Sequence, residues 1–129
     1  MELKHLNMVV RDVQKAKTFF EKYFDMTCFV NAGKQFVAMH DENHFVFNLI
    51  YGDDFKYPKE LHIGFPQKSI EDVDAMYERL TKDGYASEEP TYTHNAYTFY
   101  FMSPAEFTIE IYHDVNQETK LKMPDYFKE

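Results

Sequence analysis

One spacing recurs in this chain and restricts what it can fold into. Lys4-His5-Leu6-Asn7-Met8-Val9-Val10 alternates apolar and polar residues as a half-buried strand does, and Leu61-His62-Ile63-Gly64-Phe65 repeats the alternation with His62 standing 57 positions after His5. The helix-start signals that follow keep the same interval, since Asp12 precedes Ser69 by 57 residues. Two different elements in one register predict a duplicated module.

Each copy continues in the same way. Asp12 caps an amphipathic helix running to about Phe24, and Ser69 with Asp72 three positions on is a capping-box start for a helix to about Lys82, with Gly84 as its C′ residue. After each helix the pattern shifts to alternation broken by turn formers, which predicts strands at about 27–31, 35–40 and 45–51, then 87–92, 97–102 and 107–113. Each module therefore reads β-α-β-β-β, over residues 1–51 and 60–113. Gly52 to Pro58 reads as the linker, and residues 114–129 as a polar C-terminal tail of mixed charge.

Composition removes several function classes. A length of 129 residues suits one domain or two small modules sharing a core. Twenty-two acidic against fourteen basic residues give a net charge of −8, a field that repels phosphate backbones and anionic lipid, so neither nucleic acid nor membrane is an expected partner. Apolar runs are strand-sized, the first twelve residues lack a signal-peptide core, and the single cysteine, Cys28, can form neither an internal disulfide nor a Cys-rich zinc site, so a cytoplasmic location is expected. Thirteen Phe and ten Tyr suit a compact core or an aromatic-walled ligand cavity.

The paired modules, the opening run Lys4 to Asp12 and the closing Phe107-Thr108-Ile109-Glu110-Ile111 resemble the vicinal oxygen chelate superfamily. Its members include glyoxalases, bleomycin-resistance proteins, fosfomycin-inactivating transferases and extradiol dioxygenases. The resemblance covers residues 1 to about 115 and implies an α+β fold, with two βαβββ modules forming a curved mixed sheet around a cleft within a single glyoxalase-like domain.

Strand alternation assigns one face of each strand to the helix and the other to the cleft. Leu6, Met8 and Val10 would pack, leaving His5 and Asn7; Leu61, Ile63 and Phe65 would pack, leaving His62 and Gly64; Phe107, Ile109 and Ile111 would pack, leaving Thr108, Glu110 and Tyr112. Two imidazoles and one carboxylate are a facial triad for a divalent ion, with positions left open for substrate. His5, His62 and Glu110 also match the metal positions that the resemblance implies. Zn, Mn, Ni, Co and Fe are equally compatible with these ligands.

The resemblance also limits the reaction. Where lactoylglutathione lyases supply a fourth ligand, this chain has Asn48, which either hydrogen-bonds substrate or is a satisfied polar residue. No Lys or Arg lies between Lys82 and Lys120 to hold a phosphonate dianion, and Ser103-Pro104-Ala105-Glu106 keeps only the proline of the common family turn. Tyr97, Tyr100 and Tyr112, with Asn48, are the expected substrate-binding residues, and Glu110 doubles as the expected catalytic group. His94 reads as a turn residue that is solvated or gates a site, and His113 as turned away from the ligand face. Two functions follow: a metal-dependent lyase, isomerase or thiol transferase acting on a small molecule with vicinal oxygens, or a metal-free, acidic, aromatic-walled binding protein resembling the bleomycin-resistance proteins. Relatives of this size dimerise, so a homodimer is expected, with each cleft built within one chain or across two.

Overall fold

The computed structural model describes residues 1–86 and 88–127. The fold is α+β, and the chain divides into two compact units, one comprising Met1–Tyr57 with Pro104–Glu106 and the other Pro58–Ser103 with Phe107–Glu129. Each contains a four-stranded mixed sheet that does not close into a barrel.

The first unit runs β1 (His5–Val10), α1 (Val13–Phe24), β2 (Thr27–Asn31), β3 (Phe36–His40) and β4 (Val46–Tyr51). Its sheet order is β1-β4-β3-β2, with β1 parallel to β4 and the other pairs antiparallel. The Asp12 carboxylate accepts the Lys15 amide at 3.0 Å, which caps the helix and stabilises it by about 1 kcal/mol. Phe19, Phe20 and Tyr23 on α1 are buried, and the Phe20 ring meets Phe47 of β4 edge-on at 5.0 Å. Arg11 lies over the Phe55 ring and donates to Glu106 Oε1 at 2.7 Å, which accounts for the grouping of that short turn with this unit.

The second unit repeats the plan with β5 (His62–Pro66), α2 (Ile70–Lys82), β6 (Thr91–Thr93), β7 (Ala96–Met102) and β8 (Thr108–Asp114), ordered β5-β8-β7-β6. Ser69 Oγ accepts the Asp72 amide at 3.1 Å, and Gly84 takes the left-handed conformation, φ +87°, that ends α2. Val73 and Leu80 of α2 are buried, as are Phe99, Phe101, Ile109 and Ile111 of the sheet.

One expectation is corrected here. The strand expected over 87–92 is confined to Thr91–Thr93, because Pro90 has no amide to donate to a ladder; Ser87 lies outside the described residues. In the tail, α3 (Gln117–Lys122) and a 3-10 turn (Pro124–Phe127) follow β8, with Asn116 capping α3.

Candidate functional site

Helix α2 packs on β7 and β8. Alternation along the strands then sends Thr98, Tyr100, Thr108, Glu110 and Tyr112 to the opposite face. Glu110 stands at the middle of β8, opposite Gly64 of β5 and Tyr100 of β7. It is only 8% exposed, so its carboxylate must find partners nearby. Thr98 Oγ1 donates to Oε2 at 2.7 Å. His62 Nε2 lies 3.3 Å from Oε1, and His94 Nε2 lies 3.5 Å from Oε2. One carboxylate is thus bracketed by two imidazoles.

His62 Nδ1 lies 3.0 Å from the Glu60 carbonyl. A carbonyl can only accept, so Nδ1 carries a proton and Nε2 is the nitrogen turned toward Glu110, the one a neutral ring would offer to an ion. Two donors that share one ion at 2.0 to 2.2 Å stand roughly 2.8 to 3.6 Å apart at octahedral or tetrahedral angles. The 3.3 Å separation of His62 and Glu110 falls inside that range, so this pair fits a divalent metal. Among the described residues no group of three or more His, Cys, Asp and Glu side chains is gathered as a metal site.

Tyr100 crosses the His62 ring at 83°, with centroids 5.4 Å apart, and its hydroxyl is 3.2 Å from His94 Nε2. Burial first, then hydrogen bonding to Glu110 and that group's negative charge, push the phenol up to about 12. It therefore remains a proton donor throughout the neutral range. Tyr112 shares the face, lies across Gly64 and hydrogen-bonds the Tyr126 hydroxyl.

Tyr97 does not join them. It is one residue out of phase with Thr98, and its hydroxyl donates to Asp74 of α2 at 2.6 Å, which together with burial and the nearby charge pushes it up to about 12. The expectation that Tyr97 lines the same face as Tyr100 is corrected by this parity. His94 is the residue that sequence reasoning undervalued. It occupies the two-residue turn between β6 and β7, where His94 and Asn95 both have positive φ (35° and 63°), and that geometry turns the ring back toward β8. His113 is buried on the helix side, with Nδ1 2.8 Å from the Gln67 carbonyl and Nε2 2.8 Å from Lys120 Nζ.

In the first unit His5 is exposed on β1. Asn48 lies opposite Asn7, to whose Oδ1 its amide donates at 2.7 Å. Asn48 Oδ1 is buried without a partner, an unmet acceptor on a partly buried side chain. No helix among the described residues is long and apolar enough to cross a membrane.

A family model described as Glyoxalase/Bleomycin resistance protein/Dioxygenase superfamily matches residues 2–111. Among solved structures, a possible glyoxalase from Bacillus cereus is 47% identical and superposes with a TM-score of 0.80, covering 86% of this chain and 97% of that one. The fosfomycin resistance protein FosX from Listeria monocytogenes is 22% identical, with a TM-score of 0.76 and coverage of 92% and 97%. A FosX mutant complexed with Mn(II) and 1S,2S-dihydroxypropylphosphonic acid is 21% identical, with a TM-score of 0.75 and coverage of 95% and 97%. At that identity the FosX likeness concerns the fold. No match was found among curated proteins.

Proposed function

Because the chain belongs to the Glyoxalase/Bleomycin resistance protein/Dioxygenase superfamily, we propose that it is a divalent-metal-dependent enzyme acting on a small molecule with two vicinal oxygens, as a lyase, isomerase or thiol transferase. The observation that carries this reading is the pairing of His62 Nε2 with Glu110 Oε1 at 3.3 Å, with the imidazole tautomer set by the Glu60 carbonyl. His5 is the proposed third ligand. A bound divalent ion would supply Lewis acidity where negative charge develops on a substrate oxygen.

The chain's own groups divide the remaining work. Thr98 holds the Glu110 carboxylate in one orientation, and Tyr100, kept protonated, donates a hydrogen bond to substrate oxygen. Glu110 is the proposed catalytic carboxylate, and Tyr112 and Asn48, with its unmet acceptor, are proposed substrate contacts. We place the protein in the cytoplasm and propose a homodimer in which His5 meets His62 and Glu110 within one chain or across two.

Metal analysis of protein purified without chelator tests the reading. Wild type is expected to carry one divalent ion per site, and His5→Ala and His62→Ala to lose it. Failure of wild type to bind Zn, Mn, Ni, Co or Fe at micromolar concentration would reject it. The net charge of −8 favours a second reading, sequestration of a cationic small molecule without reaction, and that metal-free result would select it. Mixing His5→Ala with Glu110→Ala protein then decides the assembly: metal binding reappears only where sites are shared between chains.

A further inference from the structure

The hairpin joining β3 to β4 runs through His40-Asp41-Glu42-Asn43-His44 and holds two histidines that the Glu110 site does not use. The Asp41 amide donates to the Phe45 carbonyl at 3.2 Å, and Asp41 Oδ1 accepts the amides of Asn43 and Phe45, both at 2.9 Å, so the loop between them is fixed by its own hydrogen bonds. Three residues remain in that loop, and the third, His44, has a φ of 63°. Glycine is the residue that takes this left-handed position of a three-residue hairpin loop without strain, so a histidine is held there at a steric cost. The ring it carries lies beside that of His40, with centroids 5.2 Å apart and planes 38° from parallel.

We propose that His40 and His44 form a metal site of their own in the first unit, a two-imidazole clip for a nitrogen-preferring divalent ion such as Ni(II) or Zn(II). His40 Nδ1 lies 2.7 Å from the Asp41 carbonyl and so carries a proton, which leaves Nε2 as the nitrogen that a neutral ring offers; ligating imidazoles are commonly oriented in this way. The Phe29 ring packs on His40 with centroids 5.6 Å apart. Neither ring nitrogen of His44 is engaged by a described residue, and that side chain is exposed, so an ion reaches the pair from solvent. Two imidazoles that share one ion through nitrogens at about 2.1 Å have centroids roughly 4.5 to 5.3 Å apart at octahedral or tetrahedral angles. The observed 5.2 Å falls inside that range. No group of three or more His, Cys, Asp and Glu side chains gathers among the described residues, so water completes the coordination, while Asp41 and Glu42 in the same turn add a negative field that attracts the cation. Two neutral nitrogens without a carboxylate ligand select Ni(II), Cu(II) or Zn(II) over Mn(II).

The test uses the full chain without an affinity tag, labelled with nitrogen-15 and titrated with Ni(II), whose paramagnetism broadens the amide signals nearest the ion. In His62→Ala protein, which lacks the other proposed site, signals of residues 40–46 are expected to broaden at micromolar Ni(II). His44→Gly removes one imidazole and places glycine where φ is positive, so the fold is kept and Tm should hold or rise. Binding at the turn should nevertheless weaken at least tenfold in that variant, and equally in His40→Gln. No broadening at the turn, or broadening that persists undiminished in His44→Gly, would overturn the clip. The same titration of wild type keeps the two sites apart: broadening around Glu110 reports on that site alone, so loss of either reading leaves the other to stand or fall on its own signals.

Discussion

In the first unit Asn7 and Asn48 face each other across β1 and β4; in the second, Gly64 and Glu110 take the same register across β5 and β8. His5 and His62 are likewise equivalent, paired with Val46 and Thr108. The parallel pair is therefore one scaffold used twice with different chemistry. In the second copy, glycine removes a side chain so that Tyr112 can lie beside a carboxylate that Thr98, His62 and His94 also reach. In the first copy, two amides satisfy each other on one side and leave an oxygen unmet. Most helix-facing positions remained apolar in both copies, because burial against a helix tolerates polar groups only where they find partners, as His113 and Tyr97 do. The opposite faces were free to diverge.

The sharpest way to break this contrast is to exchange the roles of Asn48 and Glu110. Glu110→Gln is expected to weaken Mn(II) or Zn binding by more than about a hundredfold by calorimetry, beyond the usual cost of losing an outer-shell partner. Asn48→Ala should change it by less than about tenfold; equal losses would make the two copies chemically alike. Next in size is Gly64→Ala. A Cβ there would stand 3.0 Å from Tyr112 Cε1, so the ring must shift, and urea unfolding should show a loss of about 1 to 3 kcal/mol. Asn7→Ala, at the equivalent position, removes only the acceptor for an Asn48 amide and should cost about 1 kcal/mol.

If the scaffold is truly duplicated, Asp12→Ala and Ser69→Ala should each cost about 1 kcal/mol, because each removes one helix cap. A clear inequality would show that one helix depends on tertiary packing and the other on its cap. The smallest effect concerns pH. Tyr97 and Tyr100, both in the second unit, are raised from 10.0 to about 12, so the folded chain holds these protons more tightly than the unfolded chain does. Their contribution is complete below about pH 10 and is lost as pH rises toward about 12. Stability measured across that window should fall, and Tyr97→Phe or Tyr100→Phe should flatten the decline. Solvent screening keeps the change small.

Much of this was legible in the chain. Strand β2 occupies Thr27–Asn31 as the alternation predicts, and both caps work where Asp12 and Ser69 stand, because a cap depends on neighbours three residues away. Parity put His62 and Glu110 on one face. The same parity separates Tyr97 from Tyr100, one odd and one even on a single strand, so the two side chains leave opposite faces of the sheet. His94 was harder to find: only the tight turn with two positive-φ residues carries it to β8, and the His94-Asn95 pair flanked by two strand patterns was its one sequence signal.

The sequence by itself determined the duplicated βαβββ plan, its helix limits and the residues on each strand face, since these follow from periods of 2 and 3.6 residues and from caps that act locally. Tertiary structure alone decided which polar groups meet. Glu110 finds Thr98 twelve residues away, His62 forty-eight away and His94 sixteen away, and Lys120 finds His113 by folding the tail back against β8. Such contacts depend on sheet order and turn geometry, which place distant segments within hydrogen-bond reach and leave no periodic trace in the chain.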